Sequence, residues 1–181
     1  MKIFLEHRLL SVLFFIIVSF SLQAQHAASF DVAAIRNMRS DMNGLNLSGF
    51  YHFSERFVGG IEMNRFFTVK KILGTEETEK SAWDFDFNFH YLMPLSKNWK
   101  FYPLTGFSHT SEKEIVRGEN FVQDIKAKFW SFNTGAGILT QWGKWSPHIE
   151  YNCTWGQLNQ QFLLAGFSYE ISWGRSEKGK E

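Results

Sequence analysis

Residues 82–94 read AWDFDFNFHYLMP, and this stretch limits the fold more tightly than any other. Trp83, Phe85, Phe87, Phe89 and Tyr91 take every second position, and Asp84, Asp86, Asn88 and His90 take the positions between them. A period of two belongs to a strand and puts the two sets on opposite faces of a sheet. A soluble β-protein would turn the aromatics into a core and the acids to water. A membrane barrel would turn the aromatics to lipid and enclose the acids. The rest of the chain favours the second arrangement.

The chain starts as an exported one does. Lys2 and Arg8 give a basic start around Glu6, and residues 9–22 (LLSVLFFIIVSFSL) are apolar. Ala24, between Gln23 and Gln25, is a small residue at which a signal peptidase could cut. The expectation is a signal peptide over residues 1–24, cut near Ala24 or Gln25, since a spanning helix needs about 20 apolar residues. A single N-terminal membrane anchor is the alternative. A barrel domain follows over residues 25–174, then a charged tail over residues 175–181. The one cysteine, Cys153, allows no intrachain disulfide and no cysteine metal site. A net charge of +1 argues against a nucleic-acid surface. No cofactor or metal motif is expected.

Turn and charge clusters divide the remaining chain into eight strand-like segments, near 29–36, 44–53, 57–69, 82–93, 99–109, 128–140, 146–155 and 161–173. Most of them alternate. Leu45, Leu47, Tyr51 and Phe53 oppose Asn46, Ser48 and His52; Ile149, Tyr151, Cys153 and Trp155 oppose His148, Glu150, Asn152 and Thr154. The fifth segment is ambiguous in phase, and Pro103 inside it predicts a bulge or a local break in pairing. Short turns at 54–56, 95–98 and 142–145 alternate with longer polar stretches at 37–43, 70–81 and 110–127, as in an outer-membrane barrel with short periplasmic turns. An even strand number puts both termini on one side. Trp83, Trp130 and Trp155 are expected near outer strand ends, and Trp99, Trp142, Trp145 and Trp173 near inner ends or turns. Tryptophan favours these two membrane boundaries. The fold expected is all-β: an eight-stranded antiparallel up-and-down transmembrane β-barrel.

With this pattern the chain resembles the small eight-stranded outer-membrane barrels of the OmpX/OmpW type, the outer-membrane protein β-barrel domain family. In that family the last strand usually carries a polar–x–Gly–x–x–aromatic–x–apolar signal read by the barrel assembly machinery. Gly166, Tyr169 and Ile171 match it, and Trp173 continues the series. Leu164 stands where a polar residue is usual, and residues 175–181 run past the strand. The resemblance implies an outer-membrane location, with lipid, lipopolysaccharide and the assembly machinery as partners.

The inward set is rich in ionisable groups: Asp31, Glu62, Asp84, Asp86, Glu150 and Glu170, with His52, His90 and His148. An eight-stranded barrel is just wide enough for its side chains to fill. The expected interior is therefore a polar network with carboxylate–histidine contacts, not an open pore; a cation or proton site is the functional alternative. His109 and Ser111 share a strand face and could act as base and nucleophile. Outer-membrane lipid A deacylases use such a His–x–Ser pair, although Glu112 stands where they usually have Asn. The leading expectation is a non-enzymatic structural or surface-interaction protein, whose segments 70–81 and 110–127 are available to an extracellular ligand. A lipid A deacylase is the second reading. A secreted soluble barrel carrying a small apolar ligand, with its aromatic face inward, is the third.

Overall fold

A computed structural model describes residues 27–173, so the expected signal segment, its cleavage site and the charged tail at 175–181 lie outside the described residues. The strands are β1 (Ala27–Asn37), β2 (Met42–His52), β3 (Phe57–Leu73), β4 (Glu76–Tyr91), β5 (Met93–Pro94), β6 (Trp99–Gly118), β7 (Phe121–Thr140), β8 (Trp145–Gly156) and β9 (Gln160–Ser172). All pairings are antiparallel between neighbours in sequence, except that β4 also pairs with β6 and β1 with β9. That last pairing closes the sheet. The two-residue β5 continues the line of β4, so the closed barrel has eight staves.

The alternation of the sequence is the alternation of the wall. Along β4, Asp84, Asp86, Asn88 and His90 are buried, while Trp83, Phe85, Phe87 and Phe89 are each at least 39% exposed. Phe30, Val32, Leu45, Leu47, Ile61, Phe107, Phe132, Ile149, Tyr151, Leu163 and Phe167 are exposed in the same way on the other strands. Large apolar groups outside and polar ones inside are the reverse of a soluble fold. The soluble carrier, which needs its aromatics inside, is thereby overturned.

All seven tryptophans are exposed on the outer surface, in two groups. Trp130 and the residue opposite Trp99 (Thr140) lie on one strand, ten positions apart. At about 3.3 Å per residue and a tilt of about 40°, these belts are separated by about 25 Å, the height of an outer-membrane apolar band.

The sequence reading places strand ends where the structure does not. Residues 70–81 and 110–127 are not loops. β3 and β4 run on to a two-residue turn at Gly74 and Thr75, with Gly74 at φ 64°, and β6 and β7 run on to a turn at Glu119 and Asn120. Pairing of β4 with β6 continues as far as Glu77 opposite Arg117. The result is a four-stranded wall that rises beyond the barrel on one side. β2 follows β3 no further than Gly44 opposite Phe66, and β8 follows β7 no further than Gly156 opposite Ser131. Trp83 and Trp130 therefore lie within long strands, at the level where the barrel gives way to the wall. A mixed-sign segment can be a solvated loop or a solvated strand, and here it is a strand.

Pro103 behaves as its chemistry requires. Its pairing with Ala136 of β7 keeps register, but no residue of β4 or β5 pairs with it. It has no N–H to give to that side. The β4–β5 stave breaks at Leu92, whose N–H bonds the Arg56 carbonyl at 2.7 Å instead. The phase of the fifth predicted segment is now fixed. Tyr102, Leu104, Ser108, Thr110 and Glu112 are buried inside, and Pro103, Thr105, Phe107, His109 and Ser111 face outward.

Candidate functional site

The lumen holds the polar residues that the alternation points inward, and three levels can be told apart. At the hairpin end, Ala33, Ile35, Met42, Phe66, Ala82, Phe162 and Leu164 form an apolar layer, with Val69 packed against it. The rings of Phe66 and Phe162 stack at 5.6 Å. Phe66 is fully buried and Phe67 is 50% exposed, as successive residues of a strand face opposite sides, and the register of β3 with β4 shifts just beyond, between Phe66 and Val69. Above this layer Glu112 bonds Lys80 Nζ at 2.9 Å and accepts from Gln160 at 3.1 Å.

The middle level is a belt of amides and carboxylates hydrogen-bonded across β2, β3, β4 and β7. Glu62 is its hub. Its Oε1 accepts from Asn88 Nδ2 at 2.8 Å, and its Oε2 from Asn46 Nδ2 at 3.2 Å. Asn46 also donates to Asn64 Oδ1 at 2.7 Å, and Asn64 donates to Asp86 Oδ2 at 2.8 Å. Asn133 Nδ2 reaches Asn88 Oδ1 at 3.1 Å across β6, where the intervening residue is Gly106. A Cβ at Gly106 would collide with Asn88 Oδ1 and with the Phe87 carbonyl. The glycine is what lets one amide bridge two strands that are not neighbours.

The lowest level, at the end bearing both termini, holds the histidines. His90 Nε2 lies 3.7 Å from Glu62 Oε1, and His148 Nδ1 lies 3.3 Å from Asp31 Oδ2. His52 Nε2 is 3.1 Å from Ser29 Oγ, and Glu150 Oε2 accepts the Tyr102 hydroxyl at 3.1 Å. Phe50, His90 and Tyr102 form a run of rings with centroids 4.8 and 5.0 Å apart. Glu170 lines the same space nearer the rim.

Glu62, Asp84, Asp86, His90, His148, Glu150, Glu170 and His52 lie on the lumen side of their strands. Glu62–His90 and Asp31–His148 are the carboxylate–histidine contacts. Glu150 takes a tyrosine instead. The sequence reading does not single out Asn64, Asn88, Asn133 and Tyr102 for the network, nor the apolar layer. The asparagines stand at inward positions of alternating strands, which is signal enough. Phe66, Phe162 and Leu164 carry no such signal, because an apolar residue at an inward position looks like an error of phase.

His109 and Ser111 do share a face, and that face is the outer one. The His109 ring packs 4.7 Å from Trp130. The cross-strand neighbours are Phe85 and Trp130 for His109, and Trp83 and Lys128 for Ser111. None is a carboxylate that would orient the imidazole as a base. Among the described residues, no group of three or more His, Cys, Asp or Glu side chains is arranged to hold a metal ion.

Comparison with known proteins places this geometry. The outer membrane protein beta-barrel domain matches residues 16–170. The N-terminal β-barrel domain of Pseudomonas aeruginosa OprF is similar in structure at a TM-score of 0.62 and 11% identity, covering 82% of this chain and 100% of that one. Ail, the attachment invasion locus protein of Yersinia pestis, reaches 0.58 at 12% identity, covering 81% and 99%. A major outer membrane protein from Thermus thermophilus reaches 0.66 at 9% identity, covering 80% and 99%. No curated protein matches the sequence.

Proposed function

The chain belongs to the outer membrane protein beta-barrel domain family, and from that premise we propose a non-enzymatic structural and surface-interaction protein whose interior is closed to bulk flow. The protein is an integral outer-membrane β-barrel. Its signal segment, residues 1–24, is removed near Ala24 or Gln25, and both ends of the barrel chain stay in the periplasm. The observation that carries the closed interior is the belt around Glu62 with the Phe66–Phe162 stack beyond it. A water file would have to break buried hydrogen bonds and then cross an apolar layer, and both are costly. Reconstitution in planar bilayers tests this: no stable current steps are expected, and a large, steady single-channel current would refute closure.

The wall supports the surface role. Its outward face carries Lys70, Glu77, Glu79, Lys113, Arg117, Asp124, Lys126 and Lys128, held partly in ion pairs, with Lys70 Nζ 2.5 Å from Glu79 Oε1 and Arg117 Nη1 3.1 Å from the same oxygen. Arg65 lies 4.7 Å over the Trp83 ring at the upper tryptophan level. Arg65, Lys113, Lys126 and Lys128 suit the phosphates of lipopolysaccharide, and segments 70–81 and 110–127 offer a rigid edge to an extracellular ligand. The last strand serves biogenesis. Tyr169, Ile171 and Trp173 stand on or beside its outer face, where the assembly machinery meets them. Gly166 lies against Ala33 so closely that a Cβ would fall 2.5 Å from the Val32 carbonyl, which lets β9 close on β1.

A further inference from the structure

The periplasmic half of the lumen contains a pocket. About 80 Å³ of open space lies beneath the Glu62 belt, enough for several waters or one small organic group. Four carboxyl side chains line it (Asp31, Glu62, Glu150 and Glu170), together with Lys100 and three histidines, two of which sit against Glu62 and Asp31. Two further observations point to a guest. Glu150 is only 5% exposed, and while its Oε2 holds the Tyr102 hydroxyl, its Oε1 has no hydrogen-bond partner among the described residues. A carboxyl oxygen at that depth calls for a donor. The second observation is the ring series Phe50, His90 and Tyr102, which lines the same space. Aromatic surface beside carboxylates recognises organic cations, whose charge meets the acid and whose alkyl part meets the rings. A divalent metal is poorly served, because among the described residues no three ligand side chains of the usual types come together.

We propose that this pocket binds a small primary alkylammonium ion from the periplasm, with the ammonium on Glu150 Oε1 and the alkyl group against the Tyr102 and His90 rings. The proposal deepens the closed-barrel reading and rests on it: a pocket that ends blind under the Glu62 belt retains a guest where an open channel would pass it.

The test is a titration of the full-length mature barrel, folded in detergent micelles and carbon-13 labelled at its carboxyl groups, with n-propylammonium chloride. The expected result is a saturable shift of the Glu150 carboxyl signal with a Kd on the order of 1 mM, within reach of a ligand this small. 1-Propanol and potassium chloride at equal concentration should give no saturable shift. Glu150→Gln, which keeps the shape of the side chain, should raise the Kd about tenfold while the protein keeps its heat-modifiable gel migration. A linear shift, the same shift with potassium chloride, or unchanged affinity in Glu150→Gln would overturn the proposal. If the variant does not fold, the wild-type titration against propanol and potassium chloride decides alone. A steady bilayer current would sink the closed-barrel reading without touching a saturable titration, so the two failures are distinguishable.

Discussion

Arginine scanning along the outer face of β4 measures how the barrel sits in lipid. Trp83 and Tyr91 bracket Phe87 at four residues on either side. At about 3.3 Å per residue and a tilt of about 40°, each bracket is about 10 Å from Phe87 along the membrane normal. Phe87 is 45% exposed and its ring meets Phe89 edge-on at 4.9 Å, so an arginine there would enter the apolar band with no lumen to retreat into. The expected cost is about 2–4 kcal/mol for Phe87→Arg and about 0–1 kcal/mol for Trp83→Arg, with Phe85→Arg and Phe89→Arg between them. The assay is equilibrium unfolding in urea from phospholipid vesicles, followed by tryptophan fluorescence. Trp83→Arg removes one of the seven reporters, so gel migration should check that variant. A profile that is flat, or that peaks at Trp83, would refute both the depth assignment and the lipid-facing reading. The neighbouring residue supplies the contrast. Asn88→Leu should cost about 1–3 kcal/mol through the unpaired Glu62 and Asn133 groups it leaves, whereas Phe87→Leu should cost less than about 1.5 kcal/mol.

Four further outcomes are expected. Glu62→Ala strips acceptors from Asn46 and Asn88 and a counter-group from His90, and should lower stability by about 3–5 kcal/mol in the same unfolding assay; a loss below about 1 kcal/mol would show that the belt is not cooperative. Phe66→Ala empties the centre of the apolar layer and should cost about 3–5 kcal/mol by that assay, with any gain of conductance in bilayers marking it as the seal. The wall's ion pairs should survive mild acid. Hydrogen bonds from Lys70 and then Arg117 hold the Glu79 carboxyl down at about 2, so its pairs are complete above the ordinary glutamate range and break only as the pH falls through that low value; a carboxyl titration by NMR with its midpoint near 4.5 would contradict the pairing. The double variant Tyr169→Ser, Ile171→Ser should deplete folded protein from outer-membrane fractions, while loss of residues 175–181 should not, as immunoblots of fractionated cells would show.

The eight staves and the direction of nearly every side chain were legible because period-two alternation is a local signal. Residues 82–91 alone fix which groups go inside, and a one-residue slip would put five aromatics into a lumen too narrow for them. Strand length was not legible. Residues 110–127 carry charges on both faces once β6 and β7 leave the membrane, so neither apolar alternation nor a turn residue marks where the barrel ends. The lumen's contacts were only half legible. That Glu62 faces inward follows from its position in β3, but that it joins Asn46 to Asn88 depends on register between three strands, which no single segment encodes. Phe66 keeps the inward phase of Glu62 and Asn64, but a large apolar group at an inward position looks like an error of phase, so the alternation alone does not mark it as a lumen residue.

The levels of the lumen give the barrel a direction. Its apolar layer is drawn from the hairpin end of β1 and β2, the middle of β3 and β4 and the start of β9. Its open space is drawn from the start of β1, β6 and β8 and the ends of β2, β4 and β9, all at the end bearing the termini. On the closed-barrel proposal, water entering from the end that bears the termini would meet the hydrogen-bonded amides first and the stacked rings next. The opposite end gives its polar groups to the wall, where Lys80 and Glu112 mark the last ion pair shared with the interior. In the proposed orientation, small polar solutes would meet the lumen from within the cell envelope and macromolecules would meet the wall from outside it. With the Phe66–Phe162 layer between the proposed pocket and the wall, substitutions in the wall should leave ammonium binding in the pocket unchanged, and filling the pocket should leave any binding at the wall unchanged.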